Sequence, residues 1–351
     1  MKKKINNLPY LFQEKFNFLF ESISDIEDKI VKDQKINKPI FICGMPRSGT
    51  TLLAHLLDTS INTCSYNYSD LPFIKTPILW KFFKKMYYFG TKKIERPHGD
   101  KMEINLNSPD SFEELFWSEY LVNYNNGGFC KLLTANSLNS KLEFKLKKFI
   151  QKCLYVKKND RYFSKGNYNI FRLFLLKKIF PDSKFLICYR NPSSTINSLS
   201  KVHKNFVKLS KETSGFDKNL HYLKHYEFGK LRKPLLFENY NNDSIIELML
   251  NENNDKFYEE QWKCLYDLVL NKYLNENFKE NILLINYDKL IENFNENIMI
   301  ILKFCHLKMN ENAINQVKIL KKDNNINVLN LDENTKRIYE NLKFSQFSKL
   351  K

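Results

Sequence analysis

The chain has 351 residues, of which 43% are hydrophobic, and it carries a formal net charge of +17. This length suits one large α/β domain or two smaller ones, and the absence of an apolar run of about 18 residues disfavours a transmembrane helix. The N-terminus has no signal segment and the seven cysteines form no CxxC pair, so we expect a cytoplasmic protein with free core thiols and no zinc site.

The positive charge has two explanations. One is functional: the charge binds an anionic ligand, an anionic acceptor or an acidic membrane surface. The other is a genomic bias toward AT, because the chain is rich in Lys, Asn and Ile. Arginine is scarce, with seven residues, and two of them, Arg47 and Arg190, follow predicted strands at positions where phosphate contacts would be needed.

A strand, a glycine-bearing turn and a helix are predicted in succession near residue 40. Residues 40–43 form an apolar run of the length of a buried strand, and the turn from Gly44 to Gly49 follows it. Four leucines then recur at helical spacing over residues 52–57, which predicts a helix that begins near Gly49. Unpaired N–H groups and the positive end of the helix dipole meet at such a turn, so this stretch predicts a phosphate-binding loop.

The loop departs from the Walker A pattern of nucleotide hydrolases. The spacing of Gly44 and Gly49 matches that pattern, but Thr50 stands where the pattern requires a lysine. The difference disfavours an ATPase or a GTPase, because that lysine serves the β- and γ-phosphates. Arg47 instead offers a bidentate guanidinium, and Ser48 offers a hydroxyl donor.

Further elements are predicted along the chain. Helices are expected at residues 8–35, 108–123, 138–154, 170–180, 259–274 and 298–304, and strands at 161–164, 184–189 and 282–285. Residues 60–110 are rich in aromatic side chains and proline, which fits either a wall of an acceptor site or core packing. Residues 202–256 are polar and irregular, and no element is placed there.

A second phosphate site is indicated at Arg190. This arginine follows a predicted strand directly, and Ser198 lies eight residues further along the chain. If a helix begins at residues 193–201, Ser198 lies about two turns from its start, and the pair could clamp one phosphate. The alternative is a surface arginine beside a helix that Ser193 or Ser194 caps.

Together these motifs resemble the family of sulfotransferases that use PAPS (3′-phosphoadenosine 5′-phosphosulfate), in the branch with the loop Pro-Arg-Ser-Gly-Thr-Thr. Residues 46–51 carry that loop, and residues 180–192 look like the strand that leads to the 3′-phosphate site, with Ser198 at the expected offset. Residues 164–167 look like the lysine-containing segment of the family. Residues 286–290 look like its Tyr-Glu-Asp-Leu segment near the C-terminus.

The resemblance implies a single domain over residues 1–351, with its core at about 39–307. An N-terminal helix would occupy part of 1–38, and a helical, aromatic insert at 60–160 would shape the acceptor site. The implied fold is P-loop-like α/β, with three layers: a central, mostly parallel sheet and helices on both faces. The strands that precede the two phosphate motifs are expected to be central neighbours, with the ligand beyond their C-terminal ends.

The implied reaction is the in-line transfer of a sulfuryl group from PAPS to a hydroxyl or an amine of a small-molecule or glycan acceptor. Pro46, Arg47, Ser48, Gly49, Thr50 and Thr51 would bind the 5′-phosphosulfate, and Arg190 and Ser198 the 3′-phosphate. Arg47 is assigned to the leaving oxygen, and Lys165 shares that role or neutralises the transferring group. Because these cations supply the charge, no metal is expected. No nucleic-acid partner is expected either, while a peripheral membrane contact stays open.

The general base is expected after the first helix, where members of the family carry a histidine or a glutamate. His98 lies in the sequence Arg-Pro-His-Gly-Asp, roughly where histidine-using relatives place theirs, and its ordinary pKa near 6.5 suits the role. Asp100 could orient its ring or serve as the base itself. Asp70 lies about where glutamate-using relatives carry their base, and Glu113 and Glu114 are further candidates.

Two other functions stay open from the sequence. The first is a nucleotide-dependent kinase on a P-loop fold, which would need magnesium and a charge to replace the missing lysine. The second is a non-catalytic module that binds nucleotides or anions, held at a membrane surface through its lysines. Preference for PAP (adenosine 3′,5′-bisphosphate) over ATP would exclude the first, and turnover of PAPS would exclude the second.

Overall fold

The chain folds into strands that alternate with helices. The computed structural model describes residues 17–87, 93–121, 132–238, 240–274, 278, 280–308, 328–345 and 348–350. The strands are β1 Ile40–Gly44, β2 Thr63–Cys64, β3 Ile94–Glu95, β4 Glu103–Ile104, β5 Arg161–Lys165, β6 Lys184–Tyr189 and β7 Ile282–Asn286. The helices are α1 Asn17–Ile30, α2 Thr50–Asp58, α3 Pro77–Tyr87, α4 Glu113–Tyr120, α5 Ser140–Lys157, α6 Leu173–Ile179, α7 Pro192–Glu212, α8 Phe216–Leu223, α9 Asn242–Leu250, α10 Asn254–Leu268, α11 Tyr287–Glu292, α12 Phe294–Cys305 and α13 Glu333–Phe344. Within the described ranges, none of these helices is long and apolar enough to cross a membrane.

Five strands form one parallel sheet in the order β2, β5, β1, β6, β7. The central strand is β1, in which Ile40 pairs with Phe163 of β5 on one side and with Lys184 of β6 on the other. The prediction of a mostly parallel sheet with β1 and β6 as neighbours is therefore confirmed. The C-terminal ends of β1, β5 and β6 meet at one edge, which is where open α/β sheets bind ligands.

Both faces of the sheet are buried, and the strands β1, β6 and β7 are largely apolar, as is typical of a parallel sheet covered on both sides. In β1, Phe41 and Cys43 join a core on one face, and Ile40 and Ile42 join a core on the other face. Helices α5, α6, α7 and α10 contribute side chains to the first core, whereas α2 and α12 contribute to the second. This arrangement confirms the three-layer α/β fold.

The region after β6 is more helical than the sequence analysis predicted. Helix α7 continues to Glu212, and α8 and α9 follow within the stretch that had been left without elements. Pro192 is the first residue of α7, and Asn191 caps the helix by accepting a hydrogen bond of 3.2 Å from the N–H of Ser194. Ser198 therefore lies two turns inside the helix, as predicted, but neither of the candidate serines is the cap.

Several predicted helices differ at their boundaries from the observed ones. The helix expected from residue 108 begins at Glu113, and the Ser108 hydroxyl accepts a hydrogen bond of 3.0 Å from the N–H of Asn105 in the segment before it. The helix expected at 170–180 is divided into a short 3-10 helix, Asn167–Phe171, and α6. The first predicted helix is described from Asn17 onward, and its residues 8–16 lie outside the described residues.

The stretch of 60–160, expected to form an insert, packs on the sheet through a buried ion pair. In α4, the carboxylate of Glu114 accepts hydrogen bonds of 2.8 and 2.7 Å from the guanidinium of Arg172, and both side chains are 2% exposed. The same guanidinium lies 4.6 Å from the ring centroid of Trp117. These contacts fix α4 against the segment that follows β5.

Candidate functional site

The loop between β1 and α2 depends on two glycines in the left-handed region. Gly44 has a φ of +138° and Gly49 a φ of +102°. A Cβ on Gly44 would lie 2.3 Å from the carbonyl oxygen of Cys188, and one on Gly49 would lie 2.3 Å from Cδ2 of Tyr287. Arg47, between them, also has a left-handed φ of +72°. A non-glycine residue in that conformation costs about 1–3 kcal/mol, which is typical of functional sites.

Polar contacts hold this loop on the sheet. The Tyr266 hydroxyl accepts a hydrogen bond of 3.2 Å from the Met45 N–H and donates one of 2.6 Å to the Cys188 carbonyl. Ser48 is 1% exposed, and its hydroxyl donates to the Met45 carbonyl at 2.6 Å, so this side chain supports the loop. None of the described side chains caps α2 at Gly49, which leaves its first amide groups available to an anion.

A pocket lies at the edge of the sheet beyond β1, β5 and β6. Its lining includes Pro46, Arg47, Gly49, Thr50 and Thr51 from the loop, Arg96, His98 and Asp100 from the β3–β4 hairpin, Asp110, Lys165 and Asn167, Arg190 and Tyr287, and His225 and Glu227. Of the residues proposed for the site, the structure brings together all except five, which do not line this pocket: Ser48, Ser198, Asp70, Glu113 and Glu114. Arg47 and Arg190, expected to share one site, line the same pocket.

Arg47 connects the loop to two other elements. Its Nε donates a hydrogen bond of 2.9 Å to the hydroxyl of Ser198, and its guanidinium lies 2.6 Å from Oδ2 of Asp100. Ser198 therefore contributes through Arg47, although it does not line the pocket itself. Burial opposes ionisation of Asp100, but Arg96 and Arg47 together hold the pKa of its carboxyl well below its usual range.

Arg190 lies where β6 ends, with its guanidinium 4.9 Å from the ring centroid of Tyr287. Its Nε is 3.5 Å from Oδ1 of Asp288 and has no hydrogen-bond partner among the described residues. The other oxygen of Asp288 accepts a hydrogen bond of 3.0 Å from the Asn191 N–H, which positions this carboxylate. Arg190 is therefore a half-buried cation whose buried Nε has no hydrogen-bond partner among the described residues.

Lys165, the last residue of β5, adds another positively charged group to the pocket. Its Nζ donates hydrogen bonds of 2.7 Å to Asp110 and 3.0 Å to the hydroxyl of Ser111. Burial opposes the charge of Asp110, but Lys165 and His225 keep the pKa of its carboxyl far below the ordinary range. Asn167, two residues beyond Lys165, accepts a hydrogen bond of 3.3 Å from the hydroxyl of Thr50.

Two histidines line the pocket with buried nitrogens that have no hydrogen-bond partner among the described residues: Nδ1 of His98 and Nε2 of His225. The ring of His98 makes edge contacts with Phe206 and Phe228, at centroid distances of 5.2 and 5.9 Å. Burial, reinforced by the nearby arginines, lowers the pKa of His98 well below its ordinary value. The lowered pKa favours the neutral imidazole of His98 at pH 7, which is the form that a general base requires.

Three other candidate bases, Asp70, Glu113 and Glu114, lie outside the pocket. Asp70 is 1% exposed and bonds to Lys84 and Lys157 at 3.3 and 2.7 Å, which indicates a structural role. The carboxylate of Glu114 is paired with the buried guanidinium of Arg172. Burial raises the pKa of Glu113 to about 7, although the carboxyl group of Glu113 accepts a hydrogen bond from Ser164. The suggested orientation of His98 by Asp100 is not seen, because the Asp100 oxygens are bonded to arginines and to the amide of Met102.

Comparison with known proteins assigns the chain to a family. The family model described as the sulfotransferase family matches residues 39–233, which is more than half of the chain. The chain belongs to the sulfotransferase family. Transfer of a sulfuryl group is the reaction class of this family. Comparison with curated proteins gives no match.

Several solved sulfotransferases are similar to this chain at low identity. STF1 from Mycobacterium tuberculosis H37Rv is 14% identical with a TM-score of 0.49, and the match covers 84% of this chain and 76% of that chain. STF9 from Mycobacterium avium is 14% identical with a TM-score of 0.46, over 82% and 68% of the two chains. The sulfotransferase domain from the curacin biosynthetic pathway is 15% identical with a TM-score of 0.42, over 89% and 99%.

Sequence reasoning missed several residues of this sulfotransferase pocket. Arg96 was passed over, although it is one of only seven arginines and directly precedes Pro-His-Gly-Asp. His225 and Glu227 were missed because they lie in an irregular segment after α8. Their only sequence signal was a histidine and a carboxylate within a run of aromatic residues. Asp110 was considered only as part of a helix start.

Proposed function

We propose that this sulfotransferase transfers the sulfuryl group of PAPS to a hydroxyl or an amine of a small-molecule or glycan acceptor. The observation that carries the proposal is the convergence of Arg47, Lys165 and Arg190 on one pocket. These three cations lie at, or just after, the C-terminal ends of three neighbouring strands, β1, β5 and β6. PAPS has anionic groups at its 5′ and 3′ positions. One PAPS molecule would therefore pair with cations at the ends of separate strands.

The residues present fit such a donor. The uncapped start of α2 and the fork of Arg47 suit the 5′-phosphosulfate, because amide groups at a helix N-terminus and guanidinium groups both bind oxyanions. Arg190 has a buried Nε with no hydrogen-bond partner among the described residues, which suits the 3′-phosphate. Gly49 lets this loop approach Tyr287 closely, since any side chain there would meet the tyrosine ring.

The chain's own residues supply the acid–base and electrostatic parts of the reaction. PAPS, when bound, supplies the sulfuryl group, with its 5′-phosphate as the leaving group. Arg47 and Lys165 stabilise the negative charge that develops on the leaving side, where fixed charges act strongly because the site is partly buried. His98 takes the proton of the acceptor hydroxyl on its neutral imidazole.

The acceptor would enter from the side of the β3–β4 hairpin and the segment after α8. That side offers the rings of Phe206 and Phe228 together with the polar groups of His225 and Glu227. Glu227 is held by a hydrogen bond of 3.1 Å from the side-chain amide of Asn167. The mixture of apolar rings and hydrogen-bonding groups suits a hydroxyl-bearing acceptor. The stretch of 60–160, which carries the hairpin, would select it.

The direct test is transfer of labelled sulfate from PAPS to a panel of metabolite and envelope-glycan acceptors. We expect transfer to at least one acceptor class, and we expect loss of transfer in Arg47→Ala. As a matched control, Arg337→Ala removes an exposed arginine on α13 and should leave transfer unchanged. Binding of PAPS without transfer to any acceptor of the panel would instead support a non-catalytic module.

Ligand preference separates this proposal from a P-loop kinase. The chain should bind PAP at least tenfold more tightly than ATP in the absence of magnesium, because Arg190 adds a contact that only a 3′-phosphate can use. Calorimetric titration of both ligands measures the difference. Tighter binding of ATP that depends on magnesium would contradict the proposal and favour the kinase.

A further inference from the structure

The β3–β4 hairpin carries a carboxylate that two arginines share. Oδ2 of Asp100 lies 2.6 Å from a terminal nitrogen of Arg47 and 3.0 Å from Nε of Arg96, and it also accepts a hydrogen bond from a terminal nitrogen of Arg96. Oδ1 accepts hydrogen bonds of 3.1 Å from Arg96 Nε and 3.2 Å from the Met102 N–H. Two guanidinium groups therefore converge on a single oxygen atom.

Each of these arginines is also held by a rigid element that is independent of Asp100. Nε of Arg47 is bonded to the hydroxyl of Ser198 in α7 at 2.9 Å. A terminal nitrogen of Arg96 is bonded to the hydroxyl of Thr51 in α2 at 3.2 Å. The two guanidinium groups would therefore keep their places without the carboxylate. An anion other than Asp100 would meet the same converging donors.

The hairpin itself is built to present this carboxylate at the pocket. Gly99 and Lys101, on either side of Asp100, both have left-handed φ values, of +66° and +59°. The carbonyl of Pro97 accepts a hydrogen bond of 2.7 Å from the side-chain amide of Asn205 on α7. Asp100 thus lies in a tight turn. The hydrogen bond between Asn205 and Pro97, just before Asp100 in the chain, holds this turn against α7.

We propose that Arg96 binds the same oxyanion of the donor as Arg47, and that Asp100 competes with that oxyanion for both arginines. The oxyanion is the 5′-phosphosulfate group of the donor, so this inference rests on the proposed function. A competing Asp100 and a purely positioning Asp100 predict opposite changes in anion affinity when the charge of Asp100 is removed. Removal of the Asp100 charge strengthens anion binding if the carboxylate competes, whereas it weakens binding if the carboxylate only positions the arginines.

The test uses inorganic pyrophosphate, which carries the oxyanion chemistry without a nucleoside, and PAP as a second probe. Calorimetric titration of pyrophosphate should give a dissociation constant about tenfold lower for Asp100→Asn and about tenfold higher for Arg96→Ala. Arg96→Lys keeps the charge but loses the fork, so its dissociation constant should fall between those of the parent chain and Arg96→Ala.

Matched controls account for the change in net charge. Glu103→Gln removes an exposed carboxylate from the same hairpin, and Arg337→Ala removes an exposed arginine from α13. Each should change the pyrophosphate dissociation constant by less than about twofold, because exposed charges are screened by salt. A dissociation constant in Asp100→Asn that rises, or that moves no further than in Glu103→Gln, overturns the proposal.

A measurement on the unmodified chain keeps the inference testable if Asp100→Asn does not fold. Saturating pyrophosphate should accelerate hydrogen exchange at the Met102 amide, because the displaced carboxylate no longer accepts its hydrogen bond. Unchanged or slower exchange at this amide contradicts displacement. If pyrophosphate behaves as expected but PAP binds no better than ATP, the anion site stands and the proposed sulfuryl donor is wrong.

Discussion

At the scale of single residues, His98 has the properties of a base that works over a wide pH range. Its lowered pKa means that the imidazole stays neutral when the pH falls below the ordinary value of about 6.5. Burial is the main cause of the lowered pKa, and the neighbouring Arg96 and Arg47 add to it, because protonation would place a third positive charge beside them.

His98→Ala should lower kcat by about 10²-fold and leave the affinity for PAP unchanged, because a positioned base contributes to the chemical step. In the parent chain, the acidic limb of kcat/KM for the acceptor should fall below pH 6.5, since the neutral form persists to lower pH. Steady-state kinetics from pH 5 to pH 8 with the true acceptor measure both effects. Near-normal turnover of His98→Ala together with an inactive, folded His225→Ala would transfer the role to His225.

Arg190 is the residue on which recognition of the 3′-phosphate depends. Arg190→Ala should weaken the binding of PAP by about 2 kcal/mol, the scale of a lost charge-assisted hydrogen bond. Binding of adenosine 5′-monophosphate, which has no 3′-phosphate, should change by a much smaller amount. Calorimetry with both nucleotides decides the matter. Equal losses for the two ligands would mean that Arg190 supports the pocket through Tyr287 or Asp288 instead of binding the phosphate.

At the scale of elements, the two glycines of the β1–α2 loop should respond differently to the same substitution. A Cβ at Gly44 meets a backbone carbonyl of β6, which cannot move without breaking the β1–β6 pairing. A Cβ at Gly49 meets the side chain of Tyr287, which can rotate. The first substitution therefore disturbs the sheet, and the second disturbs the pocket.

Gly44→Ala should lower the free energy of unfolding by about 2 kcal/mol or more, because both the left-handed φ and the clash oppose it. Gly49→Ala should cost less stability but should weaken PAP binding about tenfold or more, since Tyr287 packs against Arg190. Urea denaturation and calorimetry of both variants separate the two effects. A larger loss of stability in Gly49→Ala would contradict this assignment.

The elements that were predictable from sequence are those with a local signal. Strand β1, strand β6 and the start of α2 follow from apolar runs and glycine spacing, and they position Arg47 and Arg190. The full length of α7 was also readable, because its buried residues Leu199, Val202 and Phe206 recur at helical spacing. Residues 202–212, its second half, were nevertheless left without a predicted element.

The remaining part of the pocket could not be predicted from any single stretch of sequence. Arg96 reaches Thr51 across 45 positions of sequence, and Arg47 reaches Ser198 across 151. Such contacts depend on the packing of the hairpin and of α7 on the sheet, which no single stretch encodes. The same reason explains why Asp70 does not lie in the pocket. Its separation from the loop in sequence fitted a general base, but in the folded chain its carboxylate pairs with two lysines.

At the scale of the whole molecule, a buried ion pair links α4 to the sheet. Arg172 follows the 3-10 helix after β5, and its guanidinium is held by Glu114 of α4 and by the side chain of Asn169 at 3.1 Å. Lys165 lies on the adjoining strand and reaches Asp110, just before α4. The position of the cations at the sheet edge therefore depends on how α4 is seated.

Glu114→Ala should lower the free energy of unfolding by about 3–5 kcal/mol, because it leaves a guanidinium that is 2% exposed without its carboxylate. The matched control is Glu119→Ala on the same helix, whose partner is Lys75 and whose side chain is 33% exposed. An ion pair that water reaches is worth at most about 1 kcal/mol, so this second variant should stay close to the parent chain.

Urea denaturation followed by tryptophan fluorescence measures both losses, and Trp117, which packs on the Arg172 guanidinium, reports from the affected site. Since a domain of this kind is stable by about 5–15 kcal/mol, Glu114→Ala should shift the whole transition. A single shifted transition would mean that α4 and the sheet unfold together. Two separate transitions, or equal losses in Glu114→Ala and Glu119→Ala, would show that α4 is seated independently of this pair.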